Sequence, residues 1–320
     1  MYTPCKLQPC YKEYLWGGKN LRKKYNKTDA PEITAESWEL AQHEAGVSLV
    51  AEGEYAGKTV MELGALDHDG FLGKKCPEDH FPLLVKLIDA SKDLSIQVHP
   101  SDANAIPEQK ENGKAELWYV VEAQPNSFLY LGFSKTIDRE EFVRRARDGS
   151  ICQVLNRVPV TRGDVFFVQP GTIHAICKGI LVAEIQQNSN TTFRVFDYQR
   201  RDAGGNLRPL HLERAADVVS YQPIVPRECR ANSGIQCADF SLREMFCCGY
   251  FKTYCLDVFS TVTLSCDGDS FQHLLCVEGD GILRCDGRLY PFCKGESFFM
   301  PAALGAYKIF GSCRILISRI

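Results

Sequence analysis

The chain has 320 residues, 45% of them hydrophobic, and a formal net charge of -3 at pH 7. Such a chain can bury a large core in one or two domains, and its near-neutral charge gives no electrostatic reason to expect nucleic-acid binding. Residues 1–14 mix charged residues with prolines, unlike a signal peptide, and no stretch approaches the roughly 18 apolar residues of a membrane span. We therefore predict a cytoplasmic protein with neither nucleic acid nor membrane as a partner.

Fifteen cysteines are scattered along the chain, an odd number with no Cys-x-x-Cys pair. Disulfide frameworks are typical of short secreted domains, and a thiol within an apolar strand behaves as a small hydrophobic group. The sequence predicts free, mostly buried or half-buried thiols in a reducing compartment.

Strand signals begin at residues 36–40 and 47–50 and become strong at 81–90, where FPLLVKLIDA is almost wholly apolar. Lys86 interrupts this run. A lysine in a strand either lays its stem along the sheet with its charge at the edge or points into a functional site. The pattern leaves both interpretations open.

Residues 95–100, SIQVHP, read as the end of a strand. Alternation points Ser95, Gln97 and His99 to one face and the two apolar residues to the other, and Pro100 ends the pairing. The next strand, at 114–121, places Lys114 and Glu116 on one face in the same way.

One helix is predicted, over residues 136–149. Thr136 or Asp138 can cap its start, glutamates occupy the first turns, arginines occupy the last turns, and Gly149 stops it. This charge arrangement stabilises a helix by itself and needs no functional explanation.

Strands dominate again after residue 158, with predicted strands at 165–168, 173–176, 179–187 and 191–198. The polar stretch 200–226 is predicted to connect two domains. Residues 235–320 form a second block of strands, in which KGESFFMP at 294–301 repeats RGDVFFVQP at 162–170 with one residue fewer. Four residues after the proline the first copy has His174 and the second has Gly305, so the second copy lacks that histidine.

Four side chains of the ligand type lie on these strands: Gln97, His99, Glu116 and His174. Two imidazoles and a carboxylate suit Zn²⁺, with an amide oxygen as a weaker fourth ligand, and the same triad also suits Fe(II). The spacing alone is weakly specific, because single histidines on strands are common.

The turn pattern around Gly163, Pro170 and His174 resembles the second motif of the cupin barrels, and His99 followed by Glu116 resembles the first. Six segments together resemble the type I mannose-6-phosphate isomerases in their short bacterial form. These are FPLLVK at 81–86, LSIQVHP at 94–100, KAELWY at 114–119, QPGTIHA at 169–175, and EIQQ at 184–187 with TFRVFD at 192–197. The resemblance runs from WGG at 16–18 to the C-terminal strands.

This resemblance implies an all-β fold of two cupin-type, jelly-roll-like antiparallel barrels, with a small helical insertion in the first. The catalytic, metal-binding domain is expected at residues 1–220 and a degenerate, metal-free cupin domain at 221–320. The expected cofactor is one zinc ion per chain, bound by His99, Glu116, His174 and Gln97. The other residues implied at the active site are Arg194 as the catalytic arginine, with Lys86, Lys114 and Glu184.

The implied reaction interconverts mannose 6-phosphate and fructose 6-phosphate through an enediolate, whose charge a metal and Arg194 stabilise. The proton-transfer base is left open among Glu184, Lys86 and Lys114. The sugar phosphate is expected to contact Lys86, Lys114 and Arg194, with Ser95 as a further contact. We expect a monomer or weak homodimer. The alternatives are a cupin Fe(II) dioxygenase and a non-catalytic sugar-phosphate-binding cupin.

Overall fold

The computed structural model describes residues 2–105, 111–201, 204–229 and 234–320. The chain divides into two compact units. The terminal unit comprises Met1–Lys12, Lys19–Leu87 and Arg230–Ile320, and the central unit comprises Glu13–Gly18 and Ile88–Cys229. The domain boundary expected between residues 220 and 221 stays a prediction.

Strands make up most of the regular structure, which confirms the all-β prediction. In chain order they are β1 Cys5–Gln8, β2 Cys10–Lys12, β3 Glu36–Leu40, β4 Gln42–His43, β5 Gly46–Val47, β6 Leu49–Val50, β7 Leu83–Ala90, β8 Ile96–Val98, β9 Glu116–Ala123, β10 Phe128–Phe133, β11 Leu155–Pro159, β12 Val165–Val168, β13 His174–Ile176, β14 Ile180–Gln187, β15 Phe193–Phe196, β16 Gly234–Gln236, β17 Phe240–Cys247, β18 Lys252–Val258, β19 Thr261–Ser265, β20 Gln272–Cys285, β21 Arg288–Cys293, β22 Ser297–Met300 and β23 Ala306–Arg319.

The helices of the described residues are short. They are α1 Asn20–Lys24, α2 Val60–Leu66, α3 His68–Phe71, α4 Arg139–Asp148 and α5 Leu212–Val218. Within the described ranges no helix combines the length and the apolar character needed to cross a bilayer.

In the central unit, β9 pairs antiparallel with β12 and β14, and a second antiparallel sheet has the order β11-β10-β13-β8-β15. Period-two alternation gives the second sheet two different faces. Ile96, Val98, Ala175 and Val195 lie on the apolar face, in one core cluster with residues of α4 and α5. The opposite face is therefore left for polar side chains.

Helix α4 confirms the prediction for residues 136–149. Asp138 caps it, because its side chain accepts a hydrogen bond of 2.7 Å from the Glu141 backbone N–H, and Gly149 ends it. Helix α5 was not predicted, since it lies in the polar stretch assigned to a connection. Its buried Ala215 and Ala216 pack into the same core cluster as α4.

In the terminal unit the main sheet has the order β16-β17-β18-β23-β20-β22-β1-β6, with β19 paired to β23 and β21 to β20. The N-terminal strand β1 joins strands of the last third of the chain, with Cys5 opposite Phe299. A separate core cluster of this unit includes Leu256, Leu274, Phe298 and Ile309.

All fifteen cysteines are free thiols, as predicted. Most are buried or half-buried, and burial raises the pKa of Cys5 and Cys266 to about 12. Cys237 and Cys247 are the exposed exceptions.

Candidate active site

Three polar side chains form a row across the second sheet of the central unit. Gln97 on β8 lies directly opposite His174 on β13 and directly opposite Arg194 on β15. Residues opposite each other on neighbouring strands share a face of the sheet. Because Ile96 and Val98 point to the core cluster, the row occupies the other face, as alternation predicted.

The other sheet supplies carboxylates in the same manner. On β9, Glu116 lies opposite Gln186 of β14, and two residues further on Trp118 lies opposite Glu184. Lys114 precedes this strand, and its Nζ lies 2.9 Å from Glu116 Oε1. The predicted common face of Lys114 and Glu116 is confirmed.

The two sheets bring His99, Glu116 and His174 together, with one ligand atom of each within 4.8 Å of the others. His99 Nε2 lies 3.3 Å from Glu116 Oε1, and His174 Nε2 lies 3.8 Å from Glu116 Oε2. Ligand atoms about 2.1 Å from a tetrahedral metal lie about 3.4 Å apart. The three residues are at most 1% exposed.

Backbone carbonyls determine how both imidazoles are turned. His99 Nδ1 lies 2.9 Å from the Thr191 carbonyl oxygen, and His174 Nδ1 lies 2.8 Å from the Thr172 carbonyl oxygen. Because a carbonyl only accepts hydrogen bonds, each Nδ1 carries the proton and each Nε2 keeps its lone pair. This is the usual outer-shell arrangement of a metal-binding histidine.

The atoms that face one another in the triad, the two Nε2 atoms and the Glu116 carboxylate oxygens, are therefore all hydrogen-bond acceptors. His99 Nε2 and Glu116 Oε2 are buried and make no hydrogen bond within the described part of the chain, whereas Glu116 Oε1 lies beside the Lys114 ammonium. Unpaired buried acceptors are costly, and a cation among them removes that cost. The residues present thus fit a divalent metal ion.

The pKa values favour the same protonation states. Burial, with the positive charge of Lys114, lowers the pKa of His99 to about 3, and burial lowers the pKa of His174. Burial opposes ionisation of Glu116, but Lys114 and His99 hold the pKa of that carboxyl well below its usual value. At neutral pH the site offers neutral imidazoles and a carboxylate, the forms that bind metal.

Gln97 and Ser95 lie beside the triad. Gln97 Nε2 is 3.4 Å from His174 Nε2, and the Ser95 hydroxyl donates a 3.4 Å hydrogen bond to Gln97 Oε1. Direct ligation by Gln97 requires the amide to turn so that its oxygen replaces its nitrogen. The roles of Gln97 and Ser95 stay predictions.

Arg194 is held on several sides. Its Nη1 donates to the Pro209 carbonyl at 2.9 Å, and its backbone N–H donates to His211 Nδ1 at 3.1 Å. Its Nε is buried and, among the described residues, has no hydrogen-bond partner. Burial, with the charge of Arg208, lowers the pKa of Arg194. The ordinary pKa of a guanidinium is so high that Arg194 nevertheless stays charged at neutral pH.

Glu184 is buried, and its Oε2 accepts a hydrogen bond of 2.9 Å from Trp118 Nε1. The Trp118 ring also stands edge-on to His174, with 5.3 Å between ring centroids and an interplanar angle of 76°. The contacts of Trp118 and His211 were missed at the sequence level. Alternation places Trp118 on the face of Glu116, but nothing in the polar stretch around His211 indicates its contact.

Lys86 belongs to the terminal unit, on β7, and is buried. Its Nζ lies 3.6 Å from Glu36 Oε2 and 5.1 Å from the centroid of the Trp38 ring. A buried ammonium between a carboxylate and an aromatic face is well compensated. The catalytic or substrate-binding role of Lys86 stays a prediction.

Two family models match the chain. Residues 5–122 match the model described as phosphomannose isomerase type I, catalytic domain. Residues 243–320 match the model described as mannose-6-phosphate isomerase, cupin domain. The cupin part of the fold prediction is thereby confirmed.

Relatives match over the full length. A mannose-6-phosphate isomerase of Bacillus subtilis is 36% identical over 318 residues, covering 99% of each chain. One from Streptococcus mutans is 32% identical, covering 99% of this chain and 98% of the other. The crystal structure of a Bacillus subtilis mannose 6-phosphate isomerase superposes with a TM-score of 0.92 at 35% identity, covering 99% of this chain and 100% of that one.

Proposed function

The chain belongs to the type I phosphomannose isomerase family, and we propose that it interconverts mannose 6-phosphate and fructose 6-phosphate at the His99, Glu116 and His174 triad. The observation that carries the proposal is the buried group of unprotonated acceptors contributed by strands of two sheets. Family membership adds the reaction and the substrate.

We propose zinc as the metal, one ion per chain. His99 and His174 would bind it through Nε2 and Glu116 through its carboxylate, with the Gln97 amide as a fourth donor. When bound, zinc polarises the oxygens of the reacting carbons. The carbonyls of Thr191 and Thr172 would keep both imidazoles turned towards the ion.

Isomerisation moves a proton between two neighbouring carbons while negative charge collects on their oxygens. Arg194 lies in one row with Gln97 and His174, and this position supports a role for its guanidinium in stabilising that charge. Its buried Nε is a donor available to a substrate oxygen.

For proton transfer we favour Glu184, which lies on the face of the sheet that carries Glu116. Lys114 is instead paired with Glu116, whose ionised form it stabilises. The Trp118 indole N–H holds one Glu184 oxygen in place. Lys86, Ser95, Lys114 and Arg194 remain our candidates for contacts with the sugar phosphate.

The triad alone also suits a cupin Fe(II) dioxygenase, and family membership favours the isomerase. A sugar-phosphate-binding cupin without turnover is disfavoured because Arg194, Glu184 and the triad are all present. A cytoplasmic location and a monomer or weak homodimer stay predictions.

A coupled assay that converts fructose 6-phosphate onward tests the proposal with mannose 6-phosphate as substrate. We expect activity in the wild type, its loss in His174→Ala together with the metal, and a large fall in kcat in Arg194→Ala with the metal retained. Wild-type turnover in both variants would show that the site is wrongly assigned.

A further inference from the structure

We infer that His211 is a positioning residue for Arg194. The geometry of this contact stands by itself, and its effect on turnover depends on the proposed function. His211 lies in the stretch before α5 and makes two hydrogen bonds with the Arg194 main chain, one through its backbone N–H and one through its imidazole Nδ1.

The contact occurs at a sheet edge. β15 pairs with β8 on one side only and ends the order of its sheet within the described residues. On the open side, the Arg194 N–H donates to His211 Nδ1 at 3.1 Å, and the Arg194 carbonyl accepts from the His211 N–H at 2.8 Å. His211 therefore satisfies both edge groups of Arg194, as a neighbouring strand would.

The same segment also reaches the side chain. Two residues before His211, the Pro209 carbonyl accepts the 2.9 Å hydrogen bond from Arg194 Nη1. Backbone and guanidinium of Arg194 are thus held by a run of three residues. A group that must stabilise developing charge gains from such fixed placement.

His211 itself is held from two elements. Its carbonyl accepts from the Ala215 N–H of α5 at 2.8 Å, and α5 packs into the core through Ala215 and Ala216. Its ring stands against Phe193 of β15, with centroids 6.4 Å apart at 63°. We call the contacts of His211 with Arg194 the brace. Through His211, the brace connects Arg194 to the packed helix α5.

The hydrogen bond requires an unprotonated Nδ1, since an imidazolium has no lone pair there. The charged groups that act on His211 are Arg194 from β15 and Arg214 from α5. Burial and these two positive charges lower the pKa of His211. The accepting form is therefore present at neutral pH and is lost on acidification.

Variants at position 211 distinguish the effect of the hydrogen-bond acceptor from the effect of the imidazole ring. In His211→Asn the amide Oδ1 takes the place of Nδ1, whereas His211→Leu has no acceptor and His211→Gln carries its oxygen one bond further out. The Ala215 contact uses the main chain and persists in all three. Melting temperature and metal content of each variant check that the fold is intact.

Amide hydrogen exchange at Arg194 tests the brace without any assumption about activity. We expect exchange about tenfold faster or more in His211→Leu and His211→Gln, and near the wild-type rate in His211→Asn, because one hydrogen bond has been removed or kept. Equal exchange rates in all four proteins would overturn the inference.

A double-mutant cycle tests the consequence for turnover. We expect His211→Leu to lower kcat about tenfold with KM nearly unchanged, and to have no further effect in an Arg194→Ala background. An equal loss in both backgrounds would show that His211 does not act through Arg194. A wild type inactive on mannose 6-phosphate would instead refute the proposed function, and the exchange rates would still decide the brace.

Discussion

The two segments that repeat each other in sequence, residues 162–174 and 294–305, share a glycine turn and the strand after it but differ in chemistry. In both, a glycine in the left-handed conformation, Gly163 at φ 96° and Gly295 at φ 93°, makes the turn into a strand, β12 or β22. In both, a proline follows the strand. The glycine turn, the strand and the proline after it are therefore repeated in the structure as they are in the sequence.

The partner strands make the difference specific. Val168 near the end of β12 lies opposite Glu116, and the matching Met300 of β22 lies opposite Gln272. Gln272 thus holds the register position of the ligand carboxylate. At the position of His174 the second segment has Gly305.

Gln272 is satisfied without a metal. Its Nε2 donates to the Ser265 carbonyl at 3.0 Å, and its Oε1 accepts from the Tyr307 hydroxyl at 2.5 Å. Among the residues that the structure describes, the matching oxygens of Glu116 have no such donor apart from the Lys114 ammonium. This contrast supports our proposal that the C-terminal cupin domain is metal-free, because the same register position carries a candidate metal ligand in one domain and a fully hydrogen-bonded amide in the other.

The largest expected effect comes from placing, on the partner strand of the first segment, the residue that the partner strand of the second segment has. Glu116→Gln removes the charge that balances the metal, so we expect metal content near zero and kcat reduced about 10³-fold or more. Elemental analysis and the coupled assay measure this. Retention of a full equivalent of metal with wild-type kcat would show that the Glu116 carboxylate is not what distinguishes the two domains.

The reverse exchange, Gln272→Glu, is the matched control. A carboxylate cannot donate to the Ser265 carbonyl, so we expect the free energy of unfolding to fall by about 1–3 kcal/mol at pH 7. The loss should shrink as the pH approaches 4, because burial raises the pKa of the new carboxyl. Urea unfolding measures both, while kcat and metal content should equal those of the wild type; a second equivalent of metal would contradict the account.

A smaller effect is expected from His273, next to Gln272. Burial and the charge of Lys27 lower the pKa of His273 to about 3, and neither ring nitrogen has a hydrogen-bond partner among the described residues. Because the folded pKa lies below the unfolded one, its contribution is complete above about pH 6.5 and is lost as the pH falls towards 3.

Between pH 7 and pH 5 the protein loses about 2 kcal/mol of this contribution to its free energy of unfolding. His273→Phe should lose less free energy of unfolding between pH 7 and 5 than the wild type does. Urea titrations at both pH values measure the difference. Equal losses would show that His273 does not titrate in this range.

The positions of the candidate ligands on their strands could be predicted from sequence because they follow from short-range rules, whereas the family resemblance was needed to join them into one metal site. Period-two alternation and a proline place Gln97 and His99, and a glycine turn with a proline places His174. The carbonyls that turn the imidazoles, such as that of Thr191, come from other segments and carry no side-chain signal. The same holds for His211, whose contact is made across a sheet edge.

Pairing between strands far apart in the chain is the other feature that local sequence patterns do not predict. Cys5 pairs with Phe299, almost three hundred residues away, and no local pattern in β1 indicates that partner. Helix α5 escaped prediction because only Ala215 and Ala216 are buried in a seven-residue helix without a side-chain cap. Tertiary packing stabilises such an element more than its own sequence does.

We propose that the His99, Glu116 and His174 triad holds a metal on which isomerisation of mannose 6-phosphate depends. The most direct measurement is isomerase activity against metal content while the protein is stripped by a chelator and then reloaded with zinc. We predict that activity falls in proportion to the metal, disappears near zero content, and returns with one zinc per chain. Full activity in protein verified to be free of metal would contradict the account.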